Sequence, residues 1–277
     1  MKKICYLGPE GSYSHIITKQ VMAEQDCQLV PLKNFAEIIQ QTKETPETIG
    51  VLPLENSITS NIHENIEALF SNELHIFREA FLRIKLHLIG LQDATIEEIK
   101  TVYSYEKALA QCSNFLTEHN ITPIATQSTA EGKKIILEKQ DKSIGAIGSR
   151  ELANDSQLRI LEENIGNERY NITRFVFVTK DKTETNEKKN KASVTFIVPH
   201  EPGSLAKLLT EIAKQKLNMT KIESDPIPGT NWEYHFWIDI ENPNGELSGE
   251  QLTTLFTNHT QSYKILGIYP SGNMFES

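Results

Sequence analysis

A polar segment from Lys180 to Lys191 constrains the fold most, because it separates two stretches with different patterns of predicted structure. Its sequence, KDKTETNEKKNK, has no apolar residue and no periodicity, so we interpret residues 181–191 as a linker. In residues 1–180, strand-like apolar runs alternate with helical segments of about 10 to 15 residues, which is typical of an α/β domain with largely parallel sheets. A chain of 277 residues has room for such a domain and a smaller second one.

The second domain, residues 192–277, has its own pattern. Strands are predicted at 193–198, 219–224, 233–240 and 263–269, and helices begin at Ser204 and Ser248. The resulting order, βαββαβ, is that of a ferredoxin-like fold. The strand at 263–269 is expected to be the last one.

In the first domain, short polar elements lie at three of the predicted strands, two of them just after the strand and one near its start. They are residues 8–12 after strand 3–7, residues 55–57 after strand 49–54, and residues 173–175 within strand 171–180. In α/β proteins ligands bind where strands end and helices begin, so these elements predict a cleft. The glycines of the first element would let backbone N–H groups bind an anion at a helix N-terminus, although a plain tight turn explains them equally well.

Other expectations from the first domain concern its secondary structure. Residues 83–88 alternate as in a half-exposed strand, residues 106–116 read as one helix, and Asn61 and Glu64 form the pattern of a capping box. Ser128 and Thr129 are most simply helix caps, and Cys112 is an apolar residue of a helix face.

Composition excludes several classes of function. A net charge of −9 argues against a nucleic-acid surface and gives no reason to propose a membrane surface. No apolar run approaches the roughly 18 residues that a membrane span needs. The three cysteines and eight histidines show no metal-ligand spacing, which predicts no metal site, no disulfide framework and a reducing, cytoplasmic location.

Five motifs, taken together, come in the order and spacing of the prephenate dehydratase family. They are YLGPEGSYS at 6–14, VLPLENS at 51–57, ALAQC at 108–112, STA at 128–130 and NITRF at 171–175. The segments GSL at 203–205 and NMTKIES at 218–224 resemble the effector motifs of the ACT domain that follows the dehydratase in that family. The resemblance covers nearly the whole chain.

This resemblance implies an α/β catalytic domain of two lobes, similar to periplasmic binding proteins, with lobe crossings near residues 75 and 165, followed by the ACT domain. It implies decarboxylating dehydration of prephenate to phenylpyruvate without a cofactor, L-phenylalanine as allosteric effector, and a homodimer or homotetramer. Thr173 is the implied catalytic residue. The implied substrate-binding residues are Gly11, Ser12, Glu55, Asn56, Ser57, Gln111, Ser128, Thr129, Arg174 and Phe175. The implied effector-binding residues are Pro202, Gly203, Ser204, Leu205, Asn218, Glu223 and Ser224.

Elementary chemistry refines two of these roles. A threonine hydroxyl is a very poor acid, so Thr173 is expected to act as a preorganised hydrogen-bond donor. Arg174 could bind a carboxylate bidentately, but alternation along a strand directs it to the face opposite Thr173.

The chain also departs from the family pattern. Ser60 stands where glycine is frequent, Tyr105-Glu106 where a His-Pro pair is frequent, and Asp225 where the effector motif has arginine. Two alternatives remain open at this point: arogenate dehydratase, which acts on the transaminated substrate, and a non-catalytic amino-acid sensor.

Overall fold

The structure is a computed structural model that describes residues 2–23, 26–181, 187–227 and 234–277. Residues 182–186 of the predicted linker lie outside the described residues. So does Glu233, the first residue of the predicted strand 233–240.

The described residues form sixteen strands and eight α-helices. In chain order, the elements of the first part are β1 (Lys2–Leu7), α1 (Tyr13–Val21), β2 (Cys27–Leu32), α2 (Phe35–Glu44), β3 (Thr48–Asn56), β4 (Ser60–Asn61), α3 (His63–Ser71), β5 (His75–Arg83), β6 (His87–Leu91), β7 (Thr101–Tyr105), α4 (Glu106–Ala110), α5 (Ser113–Glu118), β8 (Thr122–Thr126), α6 (Thr129–Lys139), β9 (Ile144–Gly148), β10 (Leu158–Glu162) and β11 (Ile172–Thr179). Those of the second part are β12 (Lys191–Ile197), α7 (Ser204–Lys214), β13 (Asn218–Pro226), β14 (Tyr234–Glu241), α8 (Gly249–His259), β15 (Ser262–Tyr269) and β16 (Asn273–Glu276). Short 3₁₀ turns lie at Ile96–Glu98 and Arg150–Ala153.

The first part of the chain builds two sheets, one in each lobe. The first sheet has the order β16-β5-β11-β3-β1-β2, with β4 beside β3, and the second has the order β10-β6-β9-β7-β8. The expectation of largely parallel sheets was wrong. β11 is antiparallel to both β3 and β5, and β6 is antiparallel to β9 and β10. These strands run the other way because they carry the chain directly between the sheets, without the helical crossover that parallel neighbours need.

The chain crosses between the lobes twice. It leaves the first sheet after Arg83, enters the second at His87, and returns between Glu162 and Ile172, an interval that includes residue 165. The predicted strand 83–88 was therefore wrong, because the crossing interrupts it. The first crossing also lies beyond residue 75, since residues 75–83 form β5 and pair with β11.

Two local predictions in the first domain were also wrong. The helix expected over 106–116 is interrupted at Gln111 and Cys112, between α4 and α5. The capping box at Asn61 does not form: Ile62 occupies the N-cap of α3, and Asn61 belongs to β4. The Asn61 side chain instead contacts Lys221 of the second domain, so a tertiary contact overrides the local capping signal.

The third sheet has the order β13-β14-β12-β15, and α7 and α8 pack on one of its faces. The βαββαβ prediction is confirmed. The opposite face packs on the first sheet, where Trp237, Leu266 and Tyr269 share one core with Leu52 and Val176. The approach is close at Gly267, where a Cβ atom would lie 2.0 Å from the backbone oxygen of Ile76. Only glycine fits there, so the two domains are packed backbone against backbone.

The expectation that 263–269 is the last strand was wrong. β16 follows β15 and returns to the first sheet, where it pairs in parallel with β5 from Asn273 opposite Ala80 to Glu276 opposite Arg83. The segment is a short and mostly exposed edge strand, and it therefore carries little hydrophobic signal.

Candidate functional site

A cleft of about 860 Å³ lies between the first two sheets. The C-terminal ends of β1 and β3 and the N-terminal end of β11 form one wall, and residues of α4 and the start of α6 contribute to the other. The predicted site residues that line this cleft are Ser12, Asn56, Gln111, Ser128, Thr129, Thr173 and Phe175.

Thr173 is held by its cross-strand neighbour Asn56, which lies directly opposite on β3. The Asn56 Nδ2 group donates to Thr173 Oγ1 at 3.0 Å. Backbone N–H groups of Ile58 and Thr59 donate to Asn56 Oδ1 at 2.9 and 3.0 Å, which orients the amide with its nitrogen toward Thr173. Because that nitrogen can only donate, the Thr173 hydroxyl accepts from Asn56 and its own proton is free to point into the cleft.

A chain of amides extends from this pair to the other lobe. Asn56 Nδ2 also donates to Asn171 Oδ1 at 2.7 Å, and Asn171 Nδ2 donates to Gln111 Oε1 at 2.9 Å. Gln111 sits at the C-cap of α4, in the break between the two short helices. Sequence reasoning missed Asn171 as a site residue, although it begins the NITRF motif. The amide chain ties Thr173 to both walls of the cleft.

Two helix N-termini, one from each lobe, contribute to the cleft. Ser12 caps α1 by accepting from the His15 N–H at 3.2 Å, and Ser128 caps α6 by accepting from the Glu131 N–H at 3.3 Å. Residues of the first turn of each helix, including Thr129, line the cleft, and first-turn N–H groups have no partner within their own helix. The predicted cap at Ser128 is confirmed, whereas Thr129 is the first residue of α6 and not its cap. Each end can bind one negative group.

Gly11 and Ser57 are not among the residues that line the cleft. Gly11 has a φ of 84°, its N–H donates to His15 Nδ1 at 3.1 Å, and its carbonyl accepts from Ser149 Oγ at 3.1 Å. Ser57 Oγ donates to the carbonyl of Tyr170 at 3.0 Å and accepts from the N–H of Ile172 at 2.9 Å. Both residues fasten loops, and the N–H of Gly11 is not available to a substrate carboxylate.

Arg174 and Glu55 point away from the cleft, toward the second domain. Arg174 is 2 % exposed, and its Nε donates to Glu79 Oε2 at 2.8 Å. Its Nη1 contacts Glu55 Oε1 at 3.1 Å and also Asp239 Oδ2. Side chains alternate along β11, so Arg174 lies on the face of the strand that Thr173 does not occupy. The family resemblance implied that Arg174 and Glu55 contact the substrate, but neither residue lines the cleft.

The surroundings of Glu55 keep its carboxylate ionised. Burial alone would raise its pKa, but Arg174 and Lys221 together hold the pKa of Glu55 below its ordinary value. Lys221 Nζ donates to Glu55 Oε2 at 2.7 Å from the third sheet. Glu55 and Arg174 therefore form one charged pair of the first domain, and Lys221 and Asp239 bind it from the second domain.

Among the described residues that line the cleft, the charged ones are Lys33 and Lys107, and neither an acid nor a histidine is present. Lys33 immediately precedes the capped start of α2 in the first lobe, and Lys107 lies on α4 in the second. Both are exposed. Sequence reasoning missed them, although Lys107 directly precedes the ALAQC motif. The cleft has a positive lining in a chain whose net charge is −9.

The implied effector residues fall into two groups. Pro202, Gly203, Ser204 and Leu205 lie at the start of α7, where Gly203 has a φ of 83° and open space around its Cα. Glu223 instead faces the first domain, where it accepts a hydrogen bond from Asn61 and pairs with Lys221 at 3.2 Å.

The remaining effector residues lie on β13. Asn218 begins this strand and is exposed, and Ser224 is exposed further along it. Asp225, which replaces the arginine of the family motif, faces the first domain with its carboxylate 3.7 Å from His63 Nδ1.

Within the described ranges, no group of three or more His, Cys, Asp or Glu side chains could hold a metal ion. In the same ranges, no helix has the length and apolar character to cross a membrane.

Comparisons with known proteins agree with the motifs. The family model for prephenate dehydratase matches residues 4–183, and the ACT domain model matches residues 192–250. The prephenate dehydratase of Methanocaldococcus jannaschii is 34% identical over 274 residues, covering 97% of this chain and 98% of that protein. The solved prephenate dehydratase of Arthrobacter aurescens in complex with L-Phe has a TM-score of 0.84 at 24% identity, covering 97% of this chain and 90% of the other. The solved structure of GqqA, described as a novel type of quorum quenching acylase, has a TM-score of 0.82 at 26% identity and covers 98% of both chains.

Proposed function

This chain belongs to the prephenate dehydratase family, and from that premise we propose that its cleft converts prephenate to phenylpyruvate. One observation carries the proposal: the Asn56 amide donates to Thr173 Oγ1, which leaves the threonine proton directed at a ligand in the cleft. The reaction needs such a donor. The ring carboxylate leaves as CO₂, its electron pair completes the aromatic ring, the ring C–O bond breaks, and the departing hydroxyl takes up a proton to leave as water.

Aromatisation drives this reaction, so the protein's task is to bind and orient a dianion and to stabilise the departing hydroxyl. The N-termini of α1 and α6 both line the cleft, one from each lobe, and each is suited to one carboxylate. Thr173 then donates to the leaving oxygen as a preorganised group, an interaction worth about 10²- to 10³-fold in turnover. Phe175 lines the cleft two residues further along β11 and packs against the ring.

The lining also favours prephenate over arogenate. Arogenate carries an ammonium group where prephenate has a keto group, and a buried or half-buried ammonium needs an acidic or carbonyl partner. The charged lining residues found among the described ones are both lysines, Lys33 and Lys107. They attract a dianion and disfavour a cationic group.

A regulatory role is proposed for the ACT domain. L-phenylalanine is expected to bind at the start of α7, where Gly203 leaves open space for the ligand carboxylate at the helix N-terminus and Leu205 is a neighbouring apolar side chain. Asn218 is the proposed polar partner of the bound amino acid. Calorimetry with L-phenylalanine tests this site, and absence of binding at millimolar ligand would remove the regulatory proposal while leaving the catalytic one intact.

Assembly and location are proposed on separate grounds. The third sheet leaves the edge of β13 unpaired among the described strands, which favours a homodimer or homotetramer through ACT domains. The three cysteines are free, in keeping with a reducing cytoplasm. Sedimentation at micromolar concentration is the measurement for the assembly, and a sole 31.4 kDa species would count against it.

The deciding experiment is a phenylpyruvate assay with the purified chain, run in parallel on prephenate and arogenate. We expect turnover of prephenate to exceed that of arogenate in kcat/KM. Failure with both substrates would favour the amino-acid sensor. Acyl amides belong in the same substrate panel because of the GqqA likeness. Among the described residues that line the cleft there is no histidine or carboxylate to act as base, so no acylase activity is expected.

A further inference from the structure

The strands β3 and β11 connect the cleft with the second domain through two adjacent residue pairs. Asn56 lies opposite Thr173, and Glu55 lies opposite Arg174, in the same antiparallel register. Because side chains alternate along a strand, the first pair faces the cleft and the second pair faces the ACT sheet. A backbone displacement that moves one pair must move the other.

The ACT domain holds the second pair with charged groups from separate strands. Asp239 on β14 contacts Arg174, and Lys221 on β13 donates to Glu55 Oε2 at 2.7 Å. Tyr269 on β15 lies 3.1 Å from Arg174 Nη2 through its hydroxyl. We call these five residues the interdomain network.

Neighbouring groups satisfy the remaining polar atoms of this network. Asp239 Oδ1 accepts from Trp237 Nε1 at 2.9 Å and from Ser193 Oγ. Glu79 pairs with both Arg174 and Lys191, each at 2.8 Å. Stability alone does not explain this arrangement, because burying charges is expensive and an apolar interface of the same shape is often as stable or more stable. Directional bonds do, however, fix positions more tightly than apolar contacts do.

We propose that the interdomain network positions Asn56 and Thr173 for the reaction, so that the ACT domain holds the catalytic hydroxyl in place without touching the substrate. This inference rests on the proposed function of the cleft. Lys221, Asp239 and Arg174 are positioning residues in this scheme. A shift of the ACT sheet that loosens Lys221 from Glu55 displaces the strand pair and lowers turnover while the substrate contacts of the helix N-termini remain.

The test uses Lys221→Met, which removes the ammonium group and keeps most of the side-chain length. The Lys221 side chain is 10 % exposed, and methionine keeps its apolar stem packed there, so the variant should fold. Lys214→Met, on the exposed face of α7 in the same domain, is the matched control. We expect Lys221→Met to lower kcat for prephenate about 5-fold or more, the lower end of coupling between distinct sites, with KM within about twofold. The control should leave both constants unchanged.

A double-mutant cycle separates positioning from general damage. In a Thr173→Ala background the donor is absent, so Lys221→Met should lower the residual kcat by less than about twofold, since coupled residues are not additive. An equal loss in both backgrounds overturns the proposal. So does an unchanged kcat in the single variant.

A measurement that needs no turnover keeps this test distinct from the phenylpyruvate assay. Hydrogen exchange of the amides in 48–56 and 172–179 should be faster in Lys221→Met than in the control, because β3 has lost its anchor at Glu55 and β11 is paired with β3. If the parent chain makes no phenylpyruvate, the proposed function fails. The exchange rates of Lys221→Met and Lys214→Met then test by themselves whether the interdomain network holds the strand pair in place. Identical exchange in the two variants would then reject the network as a positioning device.

Discussion

The two faces of the β3–β11 strand pair contrast in how they use polar groups. On the cleft face, Asn56 and Thr173 are uncharged, and the threonine keeps its proton available for a ligand. On the interface face, Glu55 and Arg174 are charged, and partners from the same chain already occupy them. A site that must bind and release a ligand leaves donors unpaired, whereas an interface that must persist pairs them.

This contrast separates the two kinds of damage that mutations should cause. Removing Arg174, the cation that the carboxylates of the interface face share, leaves buried charges uncompensated and should affect folding first. Removing a group from the cleft face should leave the fold nearly intact and affect turnover. The predictions below test that separation, beginning with the largest expected effect.

Arg174→Met should have the largest effect. The variant leaves Glu79, Asp239 and Glu55 without their shared cation, and breaking such a buried pair costs about 3–5 kcal/mol. Urea unfolding of parent and variant measures the loss in the free energy of unfolding. Arg169→Met, an exposed arginine just before β11, is the control and should stay within about 0.5 kcal/mol. A loss below about 1 kcal/mol for Arg174→Met would show that the interface face is not held by its charges.

Thr173→Ala should reverse the pattern. We expect kcat for prephenate to fall about 10²-fold or more, with the free energy of unfolding changed by about 1 kcal/mol or less. Thr173→Ser keeps the hydroxyl and should recover part of the activity. Thr122→Ala, on exposed β8, is the control for threonine removal from a strand. Activity of Thr173→Ala within about threefold of the parent would remove Thr173 from the catalytic role.

Lys33→Met and Lys107→Met sharpen the electrostatic side of the cleft. Each lysine is solvated, so each charge should contribute about 1 kcal/mol or less to binding. Its removal should therefore raise KM for prephenate by at most about fivefold. Arogenate has the same two carboxylates and an additional ammonium group, so its net negative charge is one unit smaller. Its KM should respond less, and the preference for prephenate should shrink. Lys134→Met on the exposed face of α6 controls for removing a surface charge. Equal responses of the two substrates would show that the lysines do not discriminate between them.

Much of the fold follows from local signals in the sequence. Strands such as β1, β9 and β12 are short apolar runs, and the caps Ser12, Asn34 and Ser128 are local hydrogen bonds that residue type predicts. The features that were missed depend on distant partners. β16 is a strand only because β5 offers it an edge, and Asn61 leaves its expected cap because Lys221 lies across the interface.

For the candidate site, the sequence likewise predicts which residues are involved but not how distant residues orient them. The motifs predict that Thr173 and Asn56 belong to one cleft, and strand alternation predicts that Arg174 lies on the other face of β11. The direction of the hydrogen bond between Asn56 and Thr173 was beyond the sequence, because it is set by the turn at residues 58–59. The role of Glu55 was also beyond it, because its partner Lys221 is distant in the chain.

The smallest expected effect concerns the acid titration of the interface face. Pairing with Arg174 and Lys221 outweighs burial and holds the pKa of Glu55 below 4.5, its ordinary value. Above that pH the carboxylate is ionised in both folded and unfolded chains, and its pairing contributes fully to stability. As pH falls through the folded pKa, the unfolded chain has already taken up the proton, so this contribution is lost.

Glu55→Gln should therefore make the free energy of unfolding less dependent on pH below 4.5, by less than about one proton in slope. Asp239, whose pKa is also held low because Arg174 outweighs the effect of burial, keeps titrating in the variant, so the slope should shrink but persist. Urea unfolding between about pH 3 and pH 6 measures it, with exposed Glu118→Gln as control. An unchanged slope would mean that Glu55 gains nothing from the ACT domain. The contrast between the two faces would then rest on the pairs that Arg174 makes with Glu79 and Asp239, since the described residues that line the cleft include no acid that could titrate in this range.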